Sequence, residues 1–268
     1  MNYKDLFKKL YKSKDELEVD KVIEKHTSLF KNPNNWKPLG QEISNFSIVK
    51  NQQSNPIAAV IEKVTNSIDA ILMKRCYELG IKPKSDAAPE SMKKAIDHFF
   101  PDNNWDLTDF RRAQAEEIQV IADGKGPYPK RNSYDTSLIV YDNGEGQRPE
   151  DFEDTFLSLI KGNKVNIPFV QGKYNMGGTG AIVFCGKKRY QLIASKRYNG
   201  GKFGFTLIRE HKDIDIRKRK ETWFEYFIPN GEIASFDIDE LDLGLYNRKF
   251  KTGSILKLYS YQLPAGYY

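Results

Sequence analysis

The chain is poor in the residues that usually build metal centres and redox sites. It has two cysteines, Cys76 and Cys185, and three histidines, His26, His98 and His211, in 268 residues. The cysteines have no metal-ligand spacing, and a lone pair makes no disulfide framework. Each is expected to pack as a small hydrophobe. The scattered histidines give no metal cluster. No apolar run approaches the ~20 residues needed to cross a bilayer, and the first residues lack the apolar segment of a signal peptide. A cytoplasmic protein with no membrane partner follows as the expectation. Gly-x-x-x-x-Gly-Lys-Ser/Thr is absent, which argues against a Walker-type NTPase. There is no internal repeat and no low-complexity tract.

What is present fits one large globular domain with additions. Hydrophobic residues make up 39%, aromatics 13% and charged residues 29%. That is enough apolar surface for a sizeable core in a water-soluble chain. The net charge of +6 suits polyanionic partners, nucleic acid or nucleotide phosphates. Its densest cluster, Arg217-Lys218-Arg219-Lys220, lies between strand-like segments and reads most simply as a solvated hairpin end.

Residues 59–70, AVIEKVTNSIDA, read as a helix. Ala59, Val64, Ile68 and Ile71 carry an apolar stripe, widened by Ile61 and Leu72. Pro56 suits its first turn, Ser54 or Asn55 its cap, and Gly80 its end after about Leu79. Glu62, Asn66 and Asp69 recur at i, i+4 and i+7 and share one face. Two carboxylates and a carboxamide are costly to bury unless something uses them. Hydrated Mg²⁺, which takes oxygen ligands and keeps waters, is one such user. The alternative is an amphipathic helix whose Glu62 and Asp69 face solvent.

Two later stretches bear on that choice. Leu138-Ile139-Val140-Tyr141-Asp142-Asn143-Gly144-Glu145-Gly146 is an apolar strand running into a glycine turn. Gln171-Gly172-Lys173-Tyr174-Asn175-Met176-Gly177-Gly178-Thr179-Gly180-Ala181 is a glycine-rich loop before an apolar helix expected from Gly178 or Thr179. An Asp at a strand end can accept the adenine amino group and so select adenine over guanine. The same Asp can simply start an Asp-Asn-Gly turn. Gly144 and Gly146 permit close backbone approach, and Gly172, Gly177, Gly178 and Gly180 let a loop bend with N–H groups exposed. Lys164 and Lys173 are candidate phosphate contacts or ordinary surface lysines.

A polar-faced helix, a strand ending in Asp-x-Gly-x-Gly and a glycine loop, in that order, resemble the GHKL ATPases. The closest local likeness is to the topoisomerase VI B subunit and the MORC proteins, over roughly residues 40 to 260. The spacing of Gly172, Gly177, Gly180 and Ala181 carries that likeness. Lys161-Gly162-Asn163-Lys164 resembles the Gly-Ser-Lys segment before the lid, with Asn163 replacing serine. Lys251-Thr252-Gly253-Ser254-Ile255 stands where the Gly-Thr strand is found, with Ser254 replacing threonine.

The resemblance implies an α+β Bergerat fold: a two-layer sandwich of a mixed, mostly antiparallel sheet with helices on one face. It implies an N-terminal helical extension (1–38), with turn material at 32–38 as its boundary, and an ATP-binding domain (39–268). Within that domain, residues 81–116 form an insertion, with one helix near 89–100 and a second after Thr108. It implies ATP and Mg²⁺ as cofactors. Glu62 would activate water, Asn66 would hold the metal, Asp69 would brace the site, and Asp142 would read adenine. Gly144, Gly146, Gly172, Gly177, Gly178, Thr179, Gly180, Lys164, Lys173 and Ser254 would contact nucleotide or order the pocket around it.

The resemblance further implies slow ATP hydrolysis used as a dimerisation switch. A nucleotide-dependent homodimer or a partner subunit is expected, the latter also as a source of a lysine for the γ-phosphate. DNA is a candidate target, and related bacterial proteins occur in defence against foreign DNA. The alternatives are an ATP-sensing interaction module without turnover and a nucleic-acid-binding domain with structural glycine loops. A histidine kinase is disfavoured, because no histidine lies in a phosphoacceptor helix.

Local patterns add strands at 43–49, 117–122, 137–141, 189–195, 203–208, 222–228 and 254–258. They also add two amphipathic helices within 3–26 and another over 149–160.

Overall fold

The computed structural model describes residues 2–42, 45–51, 53–101, 108–124, 136–159, 164–172, 179–214 and 220–263. It is an α+β protein with a mostly antiparallel eight-stranded sheet and seven helices among these residues. The helices are α1 (Tyr3–Lys12), α2 (Glu16–Lys25), α3 (Thr27–Phe30), α4 (Phe46–Asn51), α5 (Pro56–Glu78), α6 (Met92–Phe99) and α7 (Thr108–Glu117). The strands are β1 (Trp36–Pro38), β2 (Ile118–Gly124), β3 (Thr136–Asp142), β4 (Gln191–Lys196), β5 (Phe203–Ile214), β6 (Lys220–Phe227), β7 (Ala234–Phe236) and β8 (Gly253–Leu258). The sheet runs β1-β6-β5-β4-β8-β3-β2, with β7 on β5. Every pairing among the described strands is antiparallel.

The two-residue period of a strand decides which side chains share a face. On β3, Ile139 and Tyr141 join the core built by α1–α3. Leu138 joins the core that includes Ala59 of α5. The sheet therefore carries helices on both faces, not on one. The reason is the apolar stripe of α1: Leu6, Phe7 and Leu10 are buried among Phe203, Phe205 and Leu207. Tyr11 and Tyr259 tie that layer down, the Tyr11 hydroxyl donating to the Leu243 carbonyl and the Tyr259 hydroxyl to that of Leu10. Residues 32–38 are turn only as far as Asn35, because Trp36–Pro38 pairs with β6.

Three further expectations are corrected. The strand expected at 43–49 is helical from Phe46, where i, i+3 spacing buries Val49 while Phe46 packs on Phe224. The helix expected over 149–160 is, over the described residues 149–159, one 3-10 turn at Pro149–Asp151 followed by irregular turns. There the Leu157 carbonyl accepts the Gly40 N–H instead of a helical donor. The helix expected from Gly178 or Thr179 is a three-residue 3-10 turn, Ile182–Phe184. Its end bonds sideways, the Gln262 N–H donating to the Phe184 carbonyl and Cys185 bridging to Tyr261. Among the described residues of this segment, from Thr179 on, there is therefore no α-helix N-terminus to aim at a ligand.

Residues 81–100 pack as a unit against the far end of α5. Ala88, Ala95 and Phe99 share a core with Leu72, Met73, Cys76, Ile167, Phe169 and Val170. Among the described residues no helix is long and apolar enough to cross a membrane.

Candidate nucleotide site

α5 forms the wall of a cavity whose floor is the sheet. It begins at Asn55, whose side chain caps the N–H groups of Ile57 and Ala58, and Pro56 fills the first position. Gly80, at φ +71°, turns the chain away beyond its end. The floor follows from the strand period: Val140 and Asp142 of β3, Ser254 and Leu256 of β8 and Ile193 of β4 all line the cavity. Asp142 stands directly opposite Ser254 in the β3–β8 register. The cavity measures about 710 Å³, and Glu62, Asn66, Lys164 and Gly172 also line it.

Only part of the apolar stripe expected on α5 faces inward: Ala59, Ile71 and Leu72 are buried. Ile61 is 61% exposed and Ile68 36% exposed, whereas Lys63, Ser67 and Asp69 are buried. The helix turns its polar positions to the cavity and leaves part of its apolar face in solvent. Glu62 and Asn66 line the cavity itself, and the Gln53 side chain donates to Glu62 at 3.1 Å.

Asp69 is fully buried and reaches the other way. Its two carboxylate oxygens accept the backbone N–H groups of Gln171 and Gly172 at 3.0 and 2.7 Å. The glycine at 172 has a steric reason. A Cβ there would stand 2.5 Å from the Asn66 side-chain oxygen and 3.1 Å from Asp69 Oδ2. Asp69 thus holds the start of the glycine loop against the Asn66 face of α5.

Asp142 is 7% exposed. Its carboxylate accepts the Gly144 N–H at 2.9 Å and the Ser67 hydroxyl at 3.4 Å. Burial pushes its pKa up to about 7, against the Gly144 hydrogen bond and the charge of Lys164, both of which favour ionisation. Gly144 lets the turn approach α5, since a Cβ there would lie 2.4 Å from that of Ala70. The Glu145 N–H then donates to the Ala70 carbonyl at 2.9 Å.

Ser254 is buried and lies 3.2 Å from the Ser195 hydroxyl. Ser195 already donates to the Gly253 carbonyl and accepts the Gln147 N–H. The Ser254 proton accordingly points to Ser195.

Glu62, Asn66, Asp142, Gly146, Lys164, Gly172 and Ser254 therefore line one cavity, with Asp69 and Gly144 immediately behind its wall. Thr179 and Gly180 are buried and are not among the lining residues. Lys173, Gly177 and Gly178 lie outside the described residues, as do Lys161, Gly162, Asn163 and the 217–219 basic cluster. The sequence reading did not single out Lys63, Ser67, Tyr77, Lys82, Lys84, Glu145 and Arg197, all of which line the cavity. A signal existed for Ser67 and Lys63, which stand at i+1 from Asn66 and Glu62 as polar residues in mid-helix. Glu145 lies inside the glycine turn itself. Nothing local marks Arg197. Lys63 is 3% exposed, and burial lowers its pKa to about 8, partly offset by the neighbouring Glu62.

Among the described residues no group of three or more His, Cys, Asp or Glu is placed to hold a metal ion. A bound Mg²⁺ would have Asn66 as its protein ligand and would need phosphate and water oxygens for the rest, as that ion ordinarily does. The Asn66 oxygen on the cavity wall, beside a glycine without a side chain, fits such a use. Comparison of the sequence with known protein families and with curated proteins found no match to either.

Proposed function

We propose that the cavity binds Mg-ATP and hydrolyses it slowly to ADP and phosphate, as a GHKL-type ATPase, with nucleotide occupancy driving a conformational or dimerisation switch. The observation that carries this reading is that Asp142, Asn66 and Glu62, from two distant parts of the chain, line a single cavity.

Asp142 lies on the apolar floor between Val140, Ile193 and Leu256, where a purine ring can be buried. Its carboxyl accepts the exocyclic amino group of adenine and meets only the carbonyl oxygen of guanine. The Gly144 hydrogen bond fixes the rotamer that does this. Asn66 and the Gly172 backbone form the wall along which phosphates run, and Lys164 adds positive charge. Glu62, one helical turn beyond Asn66, is placed to orient a water and take its proton. Bound Mg²⁺ supplies charge neutralisation of the phosphates. Asp69 holds Gln171 and Gly172 in place and touches neither water nor nucleotide. Target, partner and any action on DNA follow from the resemblance and belong to the same proposal.

Calorimetric ATP titration and a phosphate-release assay test it together. Native protein should bind ATP with Mg²⁺ and prefer it to GTP by roughly 100-fold or more. Glu62→Ala should bind ATP with turnover lowered about 100-fold or more, and Asp142→Ala should lose binding. Native protein that binds ATP without releasing phosphate is the sensing module instead. Unchanged turnover in Glu62→Ala removes its role as base.

A further inference from the structure

The cavity is longer than the nucleotide reading requires. Its lining residues on α5 run from Glu62 to Tyr77, fifteen residue rises or roughly 22 Å of helix. Asp142 meets α5 at Ser67. Only about 7 Å of helix separates that point from Glu62, while about 15 Å extends the other way. The longer arm passes Met73 and ends at Tyr77, Lys82, Pro83, Lys84 and Arg197.

That end is built, not merely open. The Tyr77 and Tyr198 rings stack at 6.0 Å with 9° between their planes. Arg197 lies over both, at 5.1 and 5.2 Å. Its guanidinium donates to Glu145 at 2.8 Å and to the Gly146 carbonyl at 2.9 Å, which ties this end to the glycine turn behind Asp142. Pro83 is buried between exposed Lys82 and Lys84. The turn is held by the Ile81 N–H on the Cys76 carbonyl and the Ser85 N–H on that of Lys82. With Glu145 neutralising one of the three cations, the arm carries two surplus positive charges beside an aromatic wall. Such a surface suits a phosphate next to a planar ring.

We propose that this arm receives a second nucleotide unit, joined through a phosphate to the ribose of the adenine nucleotide that Asp142 holds. The proposal rests on the nucleotide reading above and names its substrate class: a dinucleotide, or the 5′-triphosphorylated end of an adenylate-initiated strand. Lys82 and Lys84 bind the joining phosphate, and the Tyr77 ring faces the second base.

The test compares ATP with the dinucleotide that carries a second adenylate on its 3′ oxygen, by calorimetry on the full chain. The dinucleotide should bind at least tenfold tighter, with the gain shrinking as salt is raised, because these lysines are exposed. The double variant Lys82→Ala, Lys84→Ala should lose that gain and hold ATP within twofold of native. Lys82→Arg with Lys84→Arg should restore it. A 5′-triphosphorylated oligoadenylate of eight residues separates the sources: affinity equal to the dinucleotide identifies a small ligand, and tighter binding identifies a strand end. Equal affinity of native protein for ATP and the dinucleotide overturns the arm and leaves the nucleotide reading standing. A gain that survives in the alanine variant also overturns it. Binding of neither ligand overturns both readings.

Discussion

Asp142 shows how a side chain suited to a ligand can weigh against the stability of the fold. Its carboxyl is held at a pKa of about 7, well above the ordinary aspartate value, chiefly by burial. The folded state therefore holds a proton that the unfolded chain has released between pH ~4 and ~7. Stability from this group is fully present at the acid end and falls as pH rises through that window, by up to about 4 kcal/mol. Lys63 acts with the opposite trend at higher pH. Its folded pKa is depressed to about 8, so it gives up its proton more readily in the fold, and stability rises with pH between about 8 and 10.5.

Asp142→Asn should keep the Gly144 hydrogen bond, because the amide oxygen still accepts. It should unfold about 2–4 kcal/mol harder than native at pH 8 and about equally at pH 4, while losing adenine affinity. Urea titrations at both pH values decide this. Equal stability of variant and native at pH 8 would show that the carboxyl is not strained by burial.

Element by element, α5 was legible in its bounds and misleading in its faces. Asn55, Pro56 and Gly80 mark where it starts and stops through local chemistry, a side-chain cap, a preset φ and a left-handed turn, and the structure follows them. The apolar stripe held at Ala59, Ile71 and Leu72 and failed between them, because periodicity assumes that the inward face is apolar core throughout. Here the inward face is a cavity wall, so Glu62, Lys63, Asn66 and Ser67 face it while Ile61 and Ile68 are left to solvent.

The strands β3, β4, β6 and β8 were readable within two residues, being rich in branched or aromatic residues, whereas β5 was read only to Ile208 and runs to Ile214. The three-residue strands β1 and β7 were not, since such short pieces exist only because a neighbour pairs with them. Asp69 belongs to this scale, because it joins α5 to another segment. Asp69→Ala should leave the N–H groups of Gln171 and Gly172 without their acceptor and cost about 2 kcal/mol or more. Amide exchange at Gly172 should rise by an order of magnitude or more, with Asp69→Asn intermediate. Unchanged exchange in Asp69→Ala would mean that the loop start is held by something else.

For the whole molecule, the N-terminal helices and the sheet form one core. Phe7 is fully buried, with ring centroids 4.8 Å from Phe203 and 5.5 Å from Phe205. Lys257, buried on the same face, donates to the Tyr11 carbonyl and to Asp123. Phe7→Ala should destabilise the fold by about 3–5 kcal/mol and leave ATP affinity within twofold below its unfolding temperature, since the cavity lies on the other face. Denaturant unfolding and nucleotide titration of one sample measure both. A full loss of affinity in folded variant protein would show that the two faces are coupled. Residues 81–100, the first part of the insertion expected over 81–116, have the contrary placement. They pack against Ile167, Phe169 and Val170, just before the residues that Asp69 holds, and so sit at the cavity.

From the chain's own local chemistry came the ends of α5, the strand into Asp142 and the short list of polar residues worth watching. Those features depend on neighbours a few positions away, where caps, periods and turn residues act. Folding alone decided that Glu62, Asn66 and Asp142 share a cavity, that Asp69 turns toward Gly172, that Arg197 joins Tyr77, and that helices cover both faces of the sheet. Each of these depends on contacts between segments tens to hundreds of residues apart. Their pairing is set by packing and by sheet register, which no local pattern encodes.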